Sequence, residues 1–207
     1  MTTQSGFFHV VVLSILRFHL STDFRGSLRR FKPEKHNTPP RRRSDSELEF
    51  IETTSARPAK LLYDTTVYID ILQNRFPRQG ELMLRAVDVW HSPVTEAELA
   101  AACGLLNPTH AQTHRVIEEI ADVLDRRPIQ RTITPDRDTW REAGIFSGML
   151  ARLQGLNKDQ RLRVLNDALL YVSARRHGCT VLTRNLSDFD LLQQLDPSGR
   201  VLFYRLS

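Results

Sequence analysis

Three acidic residues of this sequence stand where a parallel α/β fold would bring their side chains together. Asp64 ends the apolar run KLLYD, Glu98 lies in the first turn of a predicted helix, and Asp167 interrupts the apolar helical run LNDALL. Carboxylates that share one site repel each other, and a hard divalent cation such as Mg²⁺ or Mn²⁺ relieves that repulsion. The residue types therefore indicate a carboxylate-bound metal that could activate a water molecule.

Two further polar residues, Asn185 and Asp188, directly follow the predicted strand TVLT. Because ligands of open parallel sheets bind beyond the carboxyl ends of the strands, we expect both residues near Asp64. A single helical acid such as Asp167 is more often a solvent-facing residue, since acids are rarely buried without a partner. Its place in a site is therefore inferred from the whole arrangement.

The elements that would position these residues alternate between strand and helix. Short apolar runs predict five strands, and helical spacing separates nearly all of them. This alternation predicts an α/β/α sandwich around a central, mainly parallel, five-stranded sheet. Thr95 and Glu98 also form a capping-box pattern at the start of a helix, and GELMLRAVDVW predicts another helix. The predicted strands are KLLYD, HSPVT, IQRTIT, TVLT and RVLFYR.

The first 59 residues differ in composition from the remainder of the chain. They hold ten basic and six acidic residues, which accounts for +4 of the net charge of +5. The sequence following the apolar run of residues 7–20 is rich in proline and charge. We therefore predict that residues 1–59 form a disordered basic linker and that residues 60–207 form the folded domain. Because the domain is nearly neutral, the basic pI gives little support to nucleic-acid binding.

No feature of the sequence indicates export, a membrane span or a zinc site. The apolar run of residues 7–20 is interrupted by Arg17 and is too short to cross a bilayer as a helix. Cys103 and Cys179 show no CxxC spacing, which predicts a cytoplasmic protein. His110 and His114 have a spacing that zinc can use, but no third ligand accompanies them.

Four segments carry a longer pattern, namely LLYDTTVYIDIL, SPVTEAELAAA, NDALLYVSARRHG and VLTRNLSDFDLL. In this order they resemble the motifs of the PIN-domain ribonucleases, and within that family the VapC-type toxins of bacterial toxin–antitoxin pairs. The resemblance covers residues 60–205 and implies a PIN-like nuclease domain. Each motif is weakly specific alone, and their order on these elements makes the set specific.

The resemblance implies an endoribonuclease that depends on Mg²⁺ or Mn²⁺. It assigns Asp64, Glu98 and Asp167 as catalytic acids and as direct or water-mediated metal ligands. It places Asn185 and Asp188 in the same catalytic site, where the amide can orient a water but supplies no charge. Many family members carry an acid near Asn185, so the fourth carboxylate is either Asp188 or missing. The resemblance further implies an RNA substrate, an antitoxin partner and a homodimer.

Two alternatives stay open at this point. The uncertain fourth carboxylate is also compatible with a non-catalytic PIN-like protein that binds RNA or a protein partner. Asp64 at a strand end is compatible with a phosphoacceptor receiver domain, although the adjacent acid pair of such domains is missing. Among the neighbouring residues, we expect Asp70 to support the site or to cap locally, and Arg184 either to contact phosphate or to be a surface charge.

Overall fold

A parallel sheet of four strands forms the centre of the computed structural model, which describes residues 24–55 and 58–206. In space the strands follow the order β2-β1-β3-β4, and every pairing is parallel. The carboxyl ends of all four strands therefore lie at one edge, with β1 and β3 in the middle. The strands are β1 (Lys60–Tyr63), β2 (Asp88–Trp90), β3 (Thr180–Thr183) and β4 (Arg200–Phe203).

Helices connect the strands, because a parallel pair cannot be joined by a tight turn. The described helices are α1 (Phe24–Phe31), α2 (Thr65–Leu72), α3 (Arg78–Leu84), α4 (Pro93–Leu105), α5 (Thr113–Asp125), α6 (Arg137–Gln154), α7 (Lys158–Arg176) and α8 (Leu186–Leu195). Short 3₁₀ helices lie at Pro33–Lys35, Asp45–Glu47 and Ile129–Arg131.

Successive strand residues face opposite layers of the fold, as the pleat of a strand requires. Leu62 belongs to a buried cluster with Phe146 of α6 and side chains of α7 and α8. Leu61 and Tyr63 belong to a second cluster with Val67 of α2 and side chains of α4 and α5. Helices thus cover both faces of the sheet, and the predicted α/β/α sandwich is confirmed.

The prediction of five strands is wrong for the part of the chain that is described. The run IQRTIT forms a 3₁₀ helix at Ile129–Arg131 and then a single bridge between Thr132 and His91. The run HSPVT begins a helix, because the Ser92 side chain caps α4 and Pro93 occupies its first turn. The strand in this region is β2, at the end of a run that the sequence predicts as helical.

The structure also differs from the predicted linker, because residues 24–55 pack on the domain. The Phe31 ring centroid lies 4.6 Å from that of Phe146, and Phe50 is buried. These aromatic side chains supply apolar burial that offsets the entropy of ordering the segment. The part of the prediction that concerns residues 1–23 falls outside the described residues.

Residues 41–52, which we call the strap, continue this packing along the outer strand of the sheet. Phe50 forms a parallel bridge with Phe203 of β4. The Phe203 N–H donates to the Glu49 carbonyl at 2.8 Å, and the Ile51 N–H donates to the Phe203 carbonyl at 2.9 Å. The strap thus pairs with the sheet edge through a short stretch of backbone. Across the described ranges, no helix combines the length and apolar character needed to cross a membrane.

Candidate active site

Asp64 lies where β1 ends and α2 begins, and its side chain is buried. Its Oδ2 accepts hydrogen bonds from the Thr66 hydroxyl at 2.6 Å and from the Thr183 hydroxyl at 2.7 Å. Burial raises the pKa of the Asp64 carboxyl above its usual range, these hydroxyls lower it, and the charge of Glu98 raises it. The carboxylate is therefore held by donors from helix α2 and from the end of strand β3.

Glu98 projects from α4 and is held by residues of two other helices. Its Oε1 accepts a hydrogen bond from the Asn166 amide at 2.8 Å, and its Oε2 accepts one from the Thr65 hydroxyl. The predicted capping box is not formed, because Ser92 caps the helix. Thr95 instead donates to the Tyr63 carbonyl at 3.2 Å. That bond ties α4 to the end of β1 and brings Glu98 toward Asp64.

Asp167, Asn185 and Asp188 form the other half of the site. The Asn185 amide nitrogen donates to Asp188 Oδ2 at 2.9 Å and to Asp167 Oδ2 at 3.3 Å. The same residue caps α8, since its Oδ1 accepts from the Asp188 N–H. Asn185 thus lies between two carboxylates and orients both.

The carboxylates are close enough to affect each other electrostatically. Burial raises the pKa of the Asp167 carboxyl well above its usual range. The charges of Asp64, Asp188 and Glu98 raise it further. The structure therefore brings together the five residues predicted from the sequence, which come from α4, α7, α8 and the ends of β1 and β3. We call these residues, Asp64, Glu98, Asp167, Asn185 and Asp188, the acidic cluster.

The donor chemistry of the acidic cluster fits a hard divalent cation, since carboxylate and amide oxygens are the ligands that Mg²⁺ and Mn²⁺ prefer. The mutual repulsion at Asp167 is the electrostatic condition that such a cation relieves. Within the ranges that are described, no three His, Cys, Asp or Glu side chains already converge as a metal site. Threonine and asparagine side chains donate hydrogen bonds to Oδ2 of Asp64, Asp167 and Asp188.

A second layer of polar residues supports the site around Asp70, which is fully buried. Its carboxylate accepts hydrogen bonds from Arg184 Nε at 2.7 Å and from the Tyr204 hydroxyl at 2.8 Å. The Arg184 N–H also donates to the Thr66 hydroxyl at 3.1 Å. The Arg184 guanidinium is thus an ion-pair partner of Asp70, and a contact of Arg184 with phosphate stays a prediction.

Some contacts of the site were not foreseen from the sequence. Thr65 and Asn166 both hold Glu98, although they lie 33 and 68 residues from it along the chain. Each is the direct neighbour of a predicted acid, which is the one signal that the sequence offered. The paired histidines, by contrast, lie away from the site: His114 is exposed and faces Glu118 at 3.9 Å.

Comparisons with known proteins give structural matches alone. No protein-family model matches the sequence, and no curated protein matches it. Among solved structures, DNA-bound VapBC from Salmonella typhimurium matches with 19% identity and a TM-score of 0.50, over 70% of this chain and 97% of that chain. The chain shares the fold of that VapBC chain. At this level of identity the similarity shows the fold alone.

Two further matches have the same character. VapBC-5 from Mycobacterium tuberculosis, a member of the VapBC family of toxin–antitoxin systems, matches with 22% identity and a TM-score of 0.46, over 72% of this chain and 99% of that chain. VapBC2 from Rickettsia felis, bound to a promoter DNA fragment, matches with 16% identity and a TM-score of 0.47, over 70% of this chain and 98% of that chain.

Proposed function

We propose that this chain is a metal-dependent endoribonuclease and the toxin of a toxin–antitoxin pair. The observation that carries the proposal is the acidic cluster, in which Asp64, Glu98 and Asp167 meet at the carboxyl ends of the central strands. The fold shared with VapBC and the four sequence motifs support the same assignment. Asp64, Glu98 and Asp167 are the proposed ligands, directly or through water, of Mg²⁺ or Mn²⁺.

The residues of the acidic cluster have different roles in phosphodiester hydrolysis. When bound, the cation supplies positive charge that acidifies a water and stabilises the departing oxygen. Thr66 and Thr183 keep the Asp64 carboxylate in one orientation. One of the three carboxylates Asp64, Glu98 and Asp167 also accepts the proton of the attacking water. Asn185 holds Asp188 beside it, so Asp188 serves as the fourth carboxylate.

Cleavage of RNA by the full chain tests the activity. We expect cleavage in Mg²⁺ or Mn²⁺, none in a chelator, and a loss of at least about a hundredfold in Asp64→Asn. Asp122→Asn is the matched control, because Asp122 is an exposed acid paired with Arg126 on the surface of α5. Equal activity in the two variants, or cleavage in the chelator, contradicts the proposal.

The partners are proposed with the activity. A toxin of this kind acts on RNA, assembles as a homodimer and is held inactive by an antitoxin. Expression of the chain is therefore expected to arrest growth, and co-expression of the product of an adjacent small gene is expected to restore it. Growth arrest that persists in Asp64→Asn contradicts a toxin role that depends on cleavage. The mass of the purified chain in solution tests the homodimer.

One observation favours a second candidate, a non-catalytic PIN-like protein that binds RNA or a partner. Hydroxyl and amide side chains donate hydrogen bonds to Asp64 and Glu98, and no three His, Cys, Asp or Glu side chains in the described ranges converge as a metal site. This candidate predicts RNA binding without turnover and no binding of Mn²⁺. Calorimetric Mn²⁺ binding that disappears in Glu98→Gln excludes it.

A further inference from the structure

A further buried carboxylate, Asp190, lies on α8 outside the acidic cluster. Its side chain has no solvent exposure. Its Oδ2 accepts a hydrogen bond from the Arg43 N–H at 2.7 Å, and its Oδ1 accepts one from Arg43 Nε at 2.6 Å. The Gln194 amide donates a further hydrogen bond at 2.9 Å. A carboxylate this deeply buried is tolerated only when it is paired, so the strap residue Arg43 is part of the fold of α8.

The geometry of α8 connects this ion pair to the acidic cluster. Successive residues of an α-helix are separated by about 100°, so residues two apart lie on nearly opposite sides. Asp188 faces Asn185 and Asp167, whereas Asp190 faces the strap. Arg43 also donates to Gln193 at 2.6 Å, which is three residues further along the helix than Asp190. The strap thus contacts the side of α8 that lies away from the acidic cluster.

The strap is fixed at its other end, which allows it to hold the helix in place. Its backbone pairs with Phe203 on β4. Arg205, just beyond that strand, binds Asp45 at 2.8 Å and lies over the Phe50 ring at 3.6 Å from the centroid. The Arg205 N–H donates to Glu52 at 3.1 Å. The segment between these contacts and Arg43 is therefore anchored to the sheet.

We infer that Arg43 is a positioning residue for the acidic cluster. By pairing with Asp190 it sets the rotation of α8 about its axis, and this rotation keeps Asn185 between Asp167 and Asp188. Its effect on catalysis and metal binding rests on the proposed function. Its effect on the geometry of Asn185 does not.

The side-chain amide of Asn185 reports this geometry directly, because it donates to both carboxylates. We expect its NMR resonances in the metal-free full chain to shift in Arg43→Ala. They should stay in place in Arg42→Ala, since Arg42 pairs with Asp45 at the surface. Phe31→Ala serves as a control for lost stability, because Phe31 packs on Phe146 of α6. Unshifted Asn185 resonances in folded Arg43→Ala, or equal shifts in Phe31→Ala, overturn the inference.

Arg43→Lys is measured in the same way, so that the test survives if Arg43→Ala does not fold. Lysine keeps the charge but loses the fork that binds Asp190 and Gln193 together, so a smaller shift in the same direction is expected. An unchanged Asn185 resonance in Arg43→Lys, in the absence of folded Arg43→Ala, overturns the inference.

Mn²⁺ affinity measured by calorimetry separates this inference from the proposed function. We expect about tenfold weaker binding in Arg43→Ala, the size seen when groups behind metal ligands are removed. A wild-type chain that binds no Mn²⁺ contradicts the proposed metal site. The positioning role of Arg43 is then decided by the NMR resonances of Asn185. Equal affinity in the wild type and Arg43→Ala overturns the role of Arg43 toward the metal.

Discussion

The carboxyl groups of the acidic cluster are held close together although their negative charges repel one another. Asp167 carries the largest share of this repulsion, because three other acids face its partly buried side chain. Hydroxyl and amide donors hold these groups without neutralising them. In the absence of a cation, the cluster therefore lowers the stability of the folded chain near neutral pH.

Replacing Asp167 by Asn is expected to stabilise the metal-free protein at neutral pH. A carboxyl whose pKa is higher in the folded than in the unfolded state binds more protons when folded. Stability is therefore lost as pH rises from the ordinary value of 3.8 through the raised pKa. Asparagine removes that dependence.

Urea unfolding in a chelator at about pH 4, close to the ordinary pKa of 3.8, and at about pH 8 measures this effect. The advantage of Asp167→Asn over the wild type should be larger at the higher pH. Asp122→Asn, the exposed control, should follow the wild type. Identical pH profiles for Asp167→Asn and the wild type contradict the prediction.

A divalent cation is expected to reverse the repulsion. A ligand that binds only the folded chain raises its stability by about 2.7 kcal/mol at a hundred times its dissociation constant. We therefore expect Mg²⁺ or Mn²⁺ to raise the unfolding midpoint of the wild type and to have little effect on Asp64→Asn. Thermal melts with and without the cation measure the difference. Equal increases of the unfolding midpoint in both proteins argue against binding at Asp64.

The residue contacts show how far the sequence can predict a site of this kind. The acids that follow strands could be placed, because strand ends meet at one edge of a parallel sheet. Asn166 and Thr65 could not be assigned to Glu98, because those contacts depend on how α7 and α2 pack beside α4. Local patterns contain no information about such packing.

At the scale of elements, the long amphipathic helices and the buried strands were predictable, and the short polar transitions were not. TVLT and RVLFYR contain strands β3 and β4. The composition of HSPVT suggests an extended strand. Ser92 and Pro93 instead favour the start of a helix, and helix α4 begins there. β2 spans only Asp88–Trp90, which is too short to show a periodicity of its own.

The cap of α4 gives a prediction at this scale. The Ser92 hydroxyl accepts the Val94 N–H at 3.2 Å, and Ser92 is fully buried. Ser92→Ala should lower the free energy of unfolding by about 1 kcal/mol through the lost cap. Ser187→Ala, an exposed serine in the first turn of α8, is the control and should change little. Chemical denaturation of both variants measures the difference, and equal stabilities contradict the assignment of the cap.

At the scale of the whole molecule, the domain extends beyond the boundary that composition suggested. The charge and proline content of residues 1–59 predict a linker, and this composition conceals Phe31 and Phe50, which are buried in the core. Arg43 looks like one of three consecutive basic residues, yet it pairs with a buried acid. Whether this segment is ordered is decided by a few residues and not by its average composition. Each of these residues contacts a part of the chain that is distant in sequence, which composition cannot reveal.

A chain that starts at residue 60 is therefore expected to be unstable. It loses two buried phenylalanines, each contributing about 1.5–3 kcal/mol, and it leaves Asp190 without Arg43, which costs about 3–5 kcal/mol. These losses are comparable to the total stability of an ordinary domain. Circular dichroism and thermal melts measure the effect against a chain that starts at residue 24, which keeps the contacts described above. Equal melting midpoints contradict the prediction.

The pairing of the strap with α8 and β4 has a consequence for the order in which the protein is made. Arg43 emerges during translation 147 residues before its partner Asp190. At about 5–20 residues per second, that separation corresponds to about 7–30 s of synthesis. During this interval Phe50 has no β4 to pack on, so a side chain that is buried in the folded chain stays exposed. Because Asn185 and Asp188 also arrive late, a nascent chain of fewer than 188 residues lacks part of the acidic cluster.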